Sequence, residues 1–236
     1  MEDQYRVPLH IRYNRRVMRV FFRGLFHLLG KVELCGMDKI PQHNKYVLAF
    51  NHVSLVEVPF IVAFWPTIVE ILGAAVVWER PGVKIVAHMW AGIQVKRTEF
   101  DRNFLKNIMQ VIDAGFPLMI SPEGTRSRTP GLGRGKPGVA YIIDKAQLPV
   151  LPVAVVGNTI DFTRDGFRGK RPTIQMFVGD QIHLPPLTGK GEKRRIMRQQ
   201  NTDIIMARVA ELLPESYRGV YSDYEKILDG EPDSFE

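Results

Sequence analysis

The stretch Tyr46-Val47-Leu48-Ala49-Phe50-Asn51-His52-Val53-Ser54-Leu55-Val56-Glu57-Val58-Pro59 decides how the chain is read. Its first five residues form a short apolar run with the composition of a buried strand, and Phe60–Phe64 continue as an apolar helical segment stopped by Pro66. His52 therefore falls where a strand ends and a helix begins, the edge of an α/β fold at which chemistry collects. A neutral imidazole takes a proton from a hydroxyl near pH 7, and the Glu57 carboxylate can hold the other ring nitrogen in one tautomer. Ser54 and Glu57 also have the spacing of a capping box, so the same carboxylate can serve the helix start.

The same alternation repeats on both sides of this stretch. Val32–Gly36, Pro117–Ile120, Leu148–Val156 and Arg171–Val178 read as strands, with a further one within Ile68–Val77. Val83–Ala91, Asp101–Ala114, Val139–Ala146 and a long tail segment, 192–213, have helical spacing. This predicts an α/β fold with a mostly parallel central sheet flanked by helices, preceded by an N-terminal basic amphipathic helix. Two parts are expected, an N-terminal helical segment over 1–31 and one domain over 32–236 that includes the tail helix. The aromatic and acidic end after Pro214 reads as loosely packed and without a role.

The strand at Pro117 leads into a second polar island, Ser121-Pro122-Glu123-Gly124-Thr125-Arg126-Ser127. Arg126 offers a forked donor to a phosphate, Glu123 an acceptor for a substrate hydroxyl, and Gly124 a close approach of backbone to ligand. The alternative is a Glu–Arg ion pair closing a turn. Lys96 and Arg97 end another short apolar run and present one compact and one forked cation, although most such pairs are surface features. The loop Thr129–Gly138 is rich in Gly, Pro, Arg and Lys.

Composition sets the outer bounds. The chain has 236 residues, 45% hydrophobic and 24% charged, which is ordinary for a globular domain. A net charge of +7 implies an anionic partner: nucleic acid, an anionic membrane surface or a phosphorylated substrate. Cys35, the single cysteine, can make no internal disulfide and reads as structural, and no metal site is expected. In residues 11–31, Arg12, Arg16, Arg19, Arg23 and His27 share one side and Val17, Phe21, Leu25 and Leu28 the other. That pattern suits a membrane interface, or a helix whose apolar side faces the core. No run of about eighteen apolar residues is present, and the start lacks the layout of a secretory signal, so an intracellular protein is expected.

His52-x4-Glu57 followed by Pro122-Glu123-Gly124-Thr125-Arg126-Ser127 resembles the glycerolipid acyltransferases of the 1-acylglycerol-3-phosphate acyltransferase type, with Glu57 where that family has Asp. Gly92–Arg97 resembles the second motif of the family, Lys136 and Gly138 fit its basic residue and glycine before a helix, and Leu148–Val156 with Pro152 resembles its fourth motif. The resemblance implies transfer of a fatty acyl chain from acyl-CoA or an acyl-carrier protein to the free hydroxyl of lysophosphatidic acid, giving phosphatidic acid, with no other cofactor. It implies His52 as base, Glu57 as its orienting acid, and Lys96, Arg97, Glu123, Gly124, Thr125, Arg126 and Lys136 as substrate-binding residues. It also implies work at the cytoplasmic face of a membrane, as a peripheral or monotopic protein.

Two alternatives remain open at this point. One is an acyltransferase for another lyso-lipid acceptor; the other is a non-catalytic basic protein that binds membranes or nucleic acid. No recognised nucleic-acid motif supports the latter, and nucleic acid is not the expected partner. A serine hydrolase would need a Gly-x-Ser-x-Gly elbow, which the sequence lacks.

Overall fold

The computed structural model describes residues 5–42, 45–95, 102–127, 129 and 131–230. In chain order the elements are α1 (Leu9–Leu29), β1 (Lys31–Cys35), β2 (Val47–Phe50), α2 (Glu57–Phe64), β3 (Glu70–Ala74), α3 (Lys84–Trp90), β4 (Ile93–Val95), α4 (Arg102–Asp113) and β5 (Leu118–Ile120). They continue with α5 (Gly138–Ala146), β6 (Val150–Val156), α6 (Ile160–Phe167), β7 (Thr173–Val178), α7 (Gly191–Glu211), α8 (Glu215–Arg218) and α9 (Tyr224–Leu228). Among the described residues the strands form one sheet in the order β1-β7-β6-β2-β5-β3-β4.

Neighbours in the sheet are parallel except β6 and β7, so the expected mostly parallel α/β sheet is the one observed. Five strands, β6, β2, β5, β3 and β4, run one way; β7 and β1 run the other. The reversal follows from the connection between β6 and β7, which stays at one edge of the sheet and carries the short helix α6. β2, the strand before His52, is central, flanked by β6 and β5. The carboxyl ends of β5, β2 and β6 thus open side by side on one edge, where α/β folds place their ligands.

Every residue of β2 is buried, and its alternating side chains serve two different cores. Leu48 and Phe50 join the cluster under α1 and α2 with Phe26, Phe60 and Ile61. Val47 and Ala49 join the opposite cluster with Ile108 of α4, Ile142 of α5 and Ile205 of α7. A strand covered on both faces reads as a continuous apolar run, which is why Tyr46–Phe50 carries no alternation.

Helix α1 has three sides. Ile11, Met18, Phe26 and Leu29 pack inward, and with them the buried Arg15, whose guanidinium meets both Glu70 oxygens at 2.5 and 2.8 Å and the Trp90 carbonyl at 2.8 Å. Arg19 and Arg23, expected on a solvated basic side, instead donate to the carbonyls of Trp65 and Ala63 at the end of α2. The physical reason is that the last carbonyls of a helix lack intrahelical partners and attract cations. The third side faces outward and is apolar: Leu9, Tyr13, Val20, Phe21 and Leu28 are between 61% and 80% exposed.

Two further expectations fail. Cys35 is exposed at the end of β1 and has no packing role. The segment after Pro214 is not loose, because Tyr221 is 0% exposed and packs with Leu132, Met206, Val209 and Leu213. Aromatic spacing that alternates with charge looks like a solvated tail in sequence, yet here one ring fills the gap between α7 and a loop near the carboxyl end of β5.

Candidate active site

His52 follows β2 directly, and both of its peptide groups are held by the second island: its N–H donates to Glu123 Oε1 at 2.8 Å, and its carbonyl accepts from Ser127 N at 2.8 Å. Asn51 fixes the neighbouring strand. Its side-chain amide donates to the Val155 carbonyl at 2.9 Å and accepts from Val155 N at 2.8 Å, prolonging the β2–β6 ladder by a side chain. The imidazole therefore projects from a backbone pinned to β5 on one side and β6 on the other.

Glu57 is the first residue of α2 and is fully buried. Its Oε1 accepts from Val53 N and Ser54 N, both at 2.5 Å, and from Asn158 Nδ2 at 2.7 Å. Its Oε2 lies 3.7 Å from His52 Nδ1 and 3.3 Å from Ser54 Oγ. Ser54 Oγ in turn accepts from Val56 N at 3.0 Å, two residues on rather than from the Glu57 amide that a capping box would use, so serine and glutamate tie down the turn that leads into α2. The carboxylate thus holds the turn before α2 through its hydrogen bonds and faces the histidine across 3.7 Å, beyond hydrogen-bond range. With α2 starting at Glu57, Pro59 lies in the first turn, where an N–H has no intrahelical acceptor and its loss costs nothing. Nδ1 is buried and the His52 side chain is 20% exposed, so Nε2 is the ring nitrogen left to a ligand.

Glu123 is buried on the other side of His52. Its Oε1 takes the His52 amide and its Oε2 the Gly133 amide, also at 2.8 Å. Both oxygens thus serve backbone amides of this chain. Burial pushes its carboxyl above the ordinary range, and the Glu57 charge adds to that; the two amide bonds and His52 pull the other way. The loop 131–137 packs against this island through Lys136 N, which donates to the Pro122 carbonyl at 2.8 Å. Gly124 has φ +63°, and a Cβ there would lie 3.2 Å from Lys136 Cδ, so the glycine both permits the turn and leaves room for the lysine.

The loop is itself latched from the C-terminal segment. Gly135 N donates to the Tyr221 hydroxyl at 2.9 Å, and that hydroxyl donates to Asp203 Oδ1 of α7 at 2.8 Å. Leu132 N donates to the Tyr217 carbonyl at 3.0 Å and accepts, at its own carbonyl, from Val220 N at 3.1 Å.

The structure brings His52, Glu57, Glu123, Gly124 and Lys136 into one constellation, with Thr125 and Arg126 exposed on the same turn. Lys96 and Arg97 lie outside the described residues. Sequence reading missed Asn158, Asn51 and Tyr221. The signal for Asn158 was available: Gly157-Asn158 ends a wholly apolar strand, as Asn51-His52 does. Asn51 acts on Val155, 104 residues away, and Tyr221 on Gly135, 86 residues away, and no local pattern marks either contact.

The family model described as Acyltransferase matches residues 31–156, more than half of the chain. Over 179 residues the chain is 25% identical to 1-acyl-sn-glycerol-3-phosphate acyltransferase of Pseudomonas aeruginosa, covering 72% of this chain and 65% of that protein. Over 159 residues it is 24% identical to the chloroplastic 1-acyl-sn-glycerol-3-phosphate acyltransferase BAT2 of Brassica napus, covering 64% of this chain and 46% of that protein. The chain thus spans between about half and two thirds of the length of these relatives. Its fold is similar to that of the crystal structure of the 1-acyl-sn-glycerophosphate acyltransferase PlsC from Thermotoga maritima, with a TM-score of 0.60, 22% identity, and coverage of 86% of this chain and 80% of that one.

Proposed function

The chain belongs to the Acyltransferase family, and from that premise we propose that it transfers a fatty acyl chain from a thioester to the free hydroxyl of lysophosphatidic acid, giving phosphatidic acid. The observation that carries this reading is the His52–Glu57 pair, with Nδ1 buried 3.7 Å from a carboxylate oxygen and the side chain 20% exposed at the carboxyl edge of β2. In the proposed reaction the acceptor hydroxyl attacks the thioester carbonyl carbon while His52 Nε2 removes its proton. The tetrahedral species collapses with cleavage of the C–S bond, and the imidazolium returns the proton to the departing thiolate. Glu57 orients the ring and stabilises the imidazolium without becoming a nucleophile. Arg126 and Lys136, on the exposed turn and loop beside His52, together with Lys96 and Arg97, are assigned to the anionic groups of the two substrates. The thioester is acyl-CoA or acyl-carrier protein, and no metal or further cofactor enters the reaction.

The test is acyl transfer from a long-chain acyl-CoA or acyl-carrier protein to lysophosphatidic acid, followed with His52→Ala. Loss of at least about 10³-fold in kcat is expected, since base and acid roles fall on one group. Full activity in that variant refutes the mechanism. A lysophospholipid lacking a phosphomonoester should be a poorer acceptor; equal use of both would favour the broader acceptor class.

Attachment to the cytoplasmic face of an anionic membrane is part of the same reading, supported by the outward side of α1, where exposed Leu9, Tyr13, Val20, Phe21 and Leu28 lie beside the exposed Arg12 and Arg16. Among the described residues no helix is long and apolar enough to cross a membrane. Replacing Phe21 and Leu28 together by Ser should lower co-sedimentation with vesicles containing phosphatidylglycerol by roughly tenfold or more, because about 1.5 kcal/mol or more is lost per large side chain withdrawn from an apolar phase.

A further inference from the structure

We propose that Asn158 is a positioning residue for Glu57, and that the two form a unit that needs the reach of a glutamate and that an aspartate would be too short to complete. The inference rests on the catalytic reading of His52 given above. Asn158 follows β6 and is fully buried, and its Nδ2 donates to Glu57 Oε1 at 2.7 Å. The other two donors to that oxygen, Val53 N and Ser54 N, belong to the loop that leads into α2 and move with it. Asn158 is the one donor among the three that ties the carboxylate to the sheet, beside the strand that Asn51 locks to β2. With Oε1 held by three donors, Oε2 accepts from Ser54 Oγ at 3.3 Å and faces His52 Nδ1 at 3.7 Å.

The pattern of satisfied and unsatisfied atoms separates positioning from packing. Asn51, a structural amide, uses both ends of its side chain on the Val155 backbone. Asn158 uses only its donor end on Glu57; its Oδ1 is buried with no hydrogen-bond partner among the described residues. A buried orphan acceptor is costly, and such groups persist where another demand fixes the side chain. Here that demand is a donor aimed at Glu57. An aspartate on the same backbone would be shorter by one C–C bond of about 1.5 Å, enough to lose a 2.7 Å contact on the far side of the loop.

A double-mutant cycle on the full chain tests this, with lysophosphatidic acid and long-chain thioester as substrates. Asn158→Ala should lower kcat by about 10- to 50-fold with KM within about twofold, because it touches the imidazole's partner and no substrate. Glu57→Asp should lower kcat by a similar factor. Adding Asn158→Ala to Glu57→Asp should then change kcat by less than about twofold, since the contact is already absent. Multiplicative losses, a wild-type kcat in Asn158→Ala, or a folded Glu57→Asp enzyme without turnover would each overturn the proposal. Asn158→Leu keeps the volume without the donor and should match Asn158→Ala; if both variants are unfolded at the assay temperature, the role is packing and the proposal fails. His52→Ala separates the two levels. A silent Asn158→Ala beside an inactive His52→Ala removes only the positioning role, whereas an active His52→Ala removes the reading on which it rests.

Discussion

Glu57 and Glu123 are both buried glutamates at the carboxyl edge of the sheet, both accept two backbone amides, and both lie against His52, yet they address different parts of it. Glu57 keeps one oxygen toward the imidazole, whereas Glu123 binds the His52 amide with one oxygen and the Gly133 amide with the other. The first carboxylate faces the ring, 3.7 Å from Nδ1; the second holds the backbone that carries the ring. Their electrostatic settings differ accordingly. Glu57 stands at the N-terminus of α2, where a negative charge is favoured, and also receives a side-chain donor. Among the described residues Glu123 takes backbone amide donors alone, and its burial dominates, so its carboxyl is easier to protonate than an ordinary glutamate. Burial beside a histidine therefore does not by itself aim a carboxylate at the imidazole; the direction of its second oxygen does.

Neutralising each carboxylate without changing its shape breaks the comparison most sharply. Glu57→Gln removes the charge facing Nδ1 and should lower kcat by about 10²- to 10³-fold with the fold retained, measured as acyl transfer alongside thermal unfolding. A loss below about tenfold would show that the charge is dispensable and leave Glu57 only its hold on the turn before α2. Glu123→Gln should cost less, roughly tenfold in activity, because an amide has one acceptor oxygen for two amide donors and releases either His52 or Gly133.

The pH dependence gives this second variant its own signature. The folded-state carboxyl of Glu123 is raised above its unfolded value, so its contribution to stability is fully present below the unfolded value and is lost as pH rises through the folded one. The stability of the wild type relative to Glu123→Gln should therefore fall with rising pH across that window, as read from urea midpoints. A difference that stays flat, or rises, would contradict burial as the dominant influence on this carboxyl.

How far the sequence carried follows from the same contrast. Glu57 is legible because its histidine is five residues away and a strand precedes both. The parallel layers are legible because apolar runs alternate with helical spacing. The two roles of Arg19 and Arg23 were hidden, since a helical wheel shows which residues share a side but not that the end of α2 would lie against them. The reversal of β7 was hidden for a similar reason: the connection 157–172 holds only the eight-residue α6, and sequence does not show that it stays at one sheet edge. Glu123 was legible as part of the site but not in its geometry, because its partners, His52 and Gly133, are set by packing across strands.

Tyr221 extends the comparison to its weakest link. Its hydroxyl accepts from Gly135 N and donates to Asp203, so it holds the loop whose Gly133 amide binds Glu123, which in turn binds His52 N. Each step acts through backbone, none touches the ring, and the effect on chemistry should shrink along the way. Burial raises the Asp203 carboxyl, while the bonds from Tyr221 and Gln199 lower it, so the hydroxyl also helps keep that carboxylate charged. Tyr221→Phe leaves the ring to fill its space and removes the acceptor of the Gly135 amide, which should cost about 1–2 kcal/mol of stability. Activity should fall only about two- to fivefold, seen in kcat before KM, since the loop remains tied by Leu132 to Tyr217 and Val220. A loss as large as that of Glu123→Gln would mean that the loop moves as one rigid piece and that the C-terminal segment governs the Glu123 side of the site outright. No loss of stability would mean that the Gly135 amide finds another acceptor and that the latch consists of the backbone pairs alone.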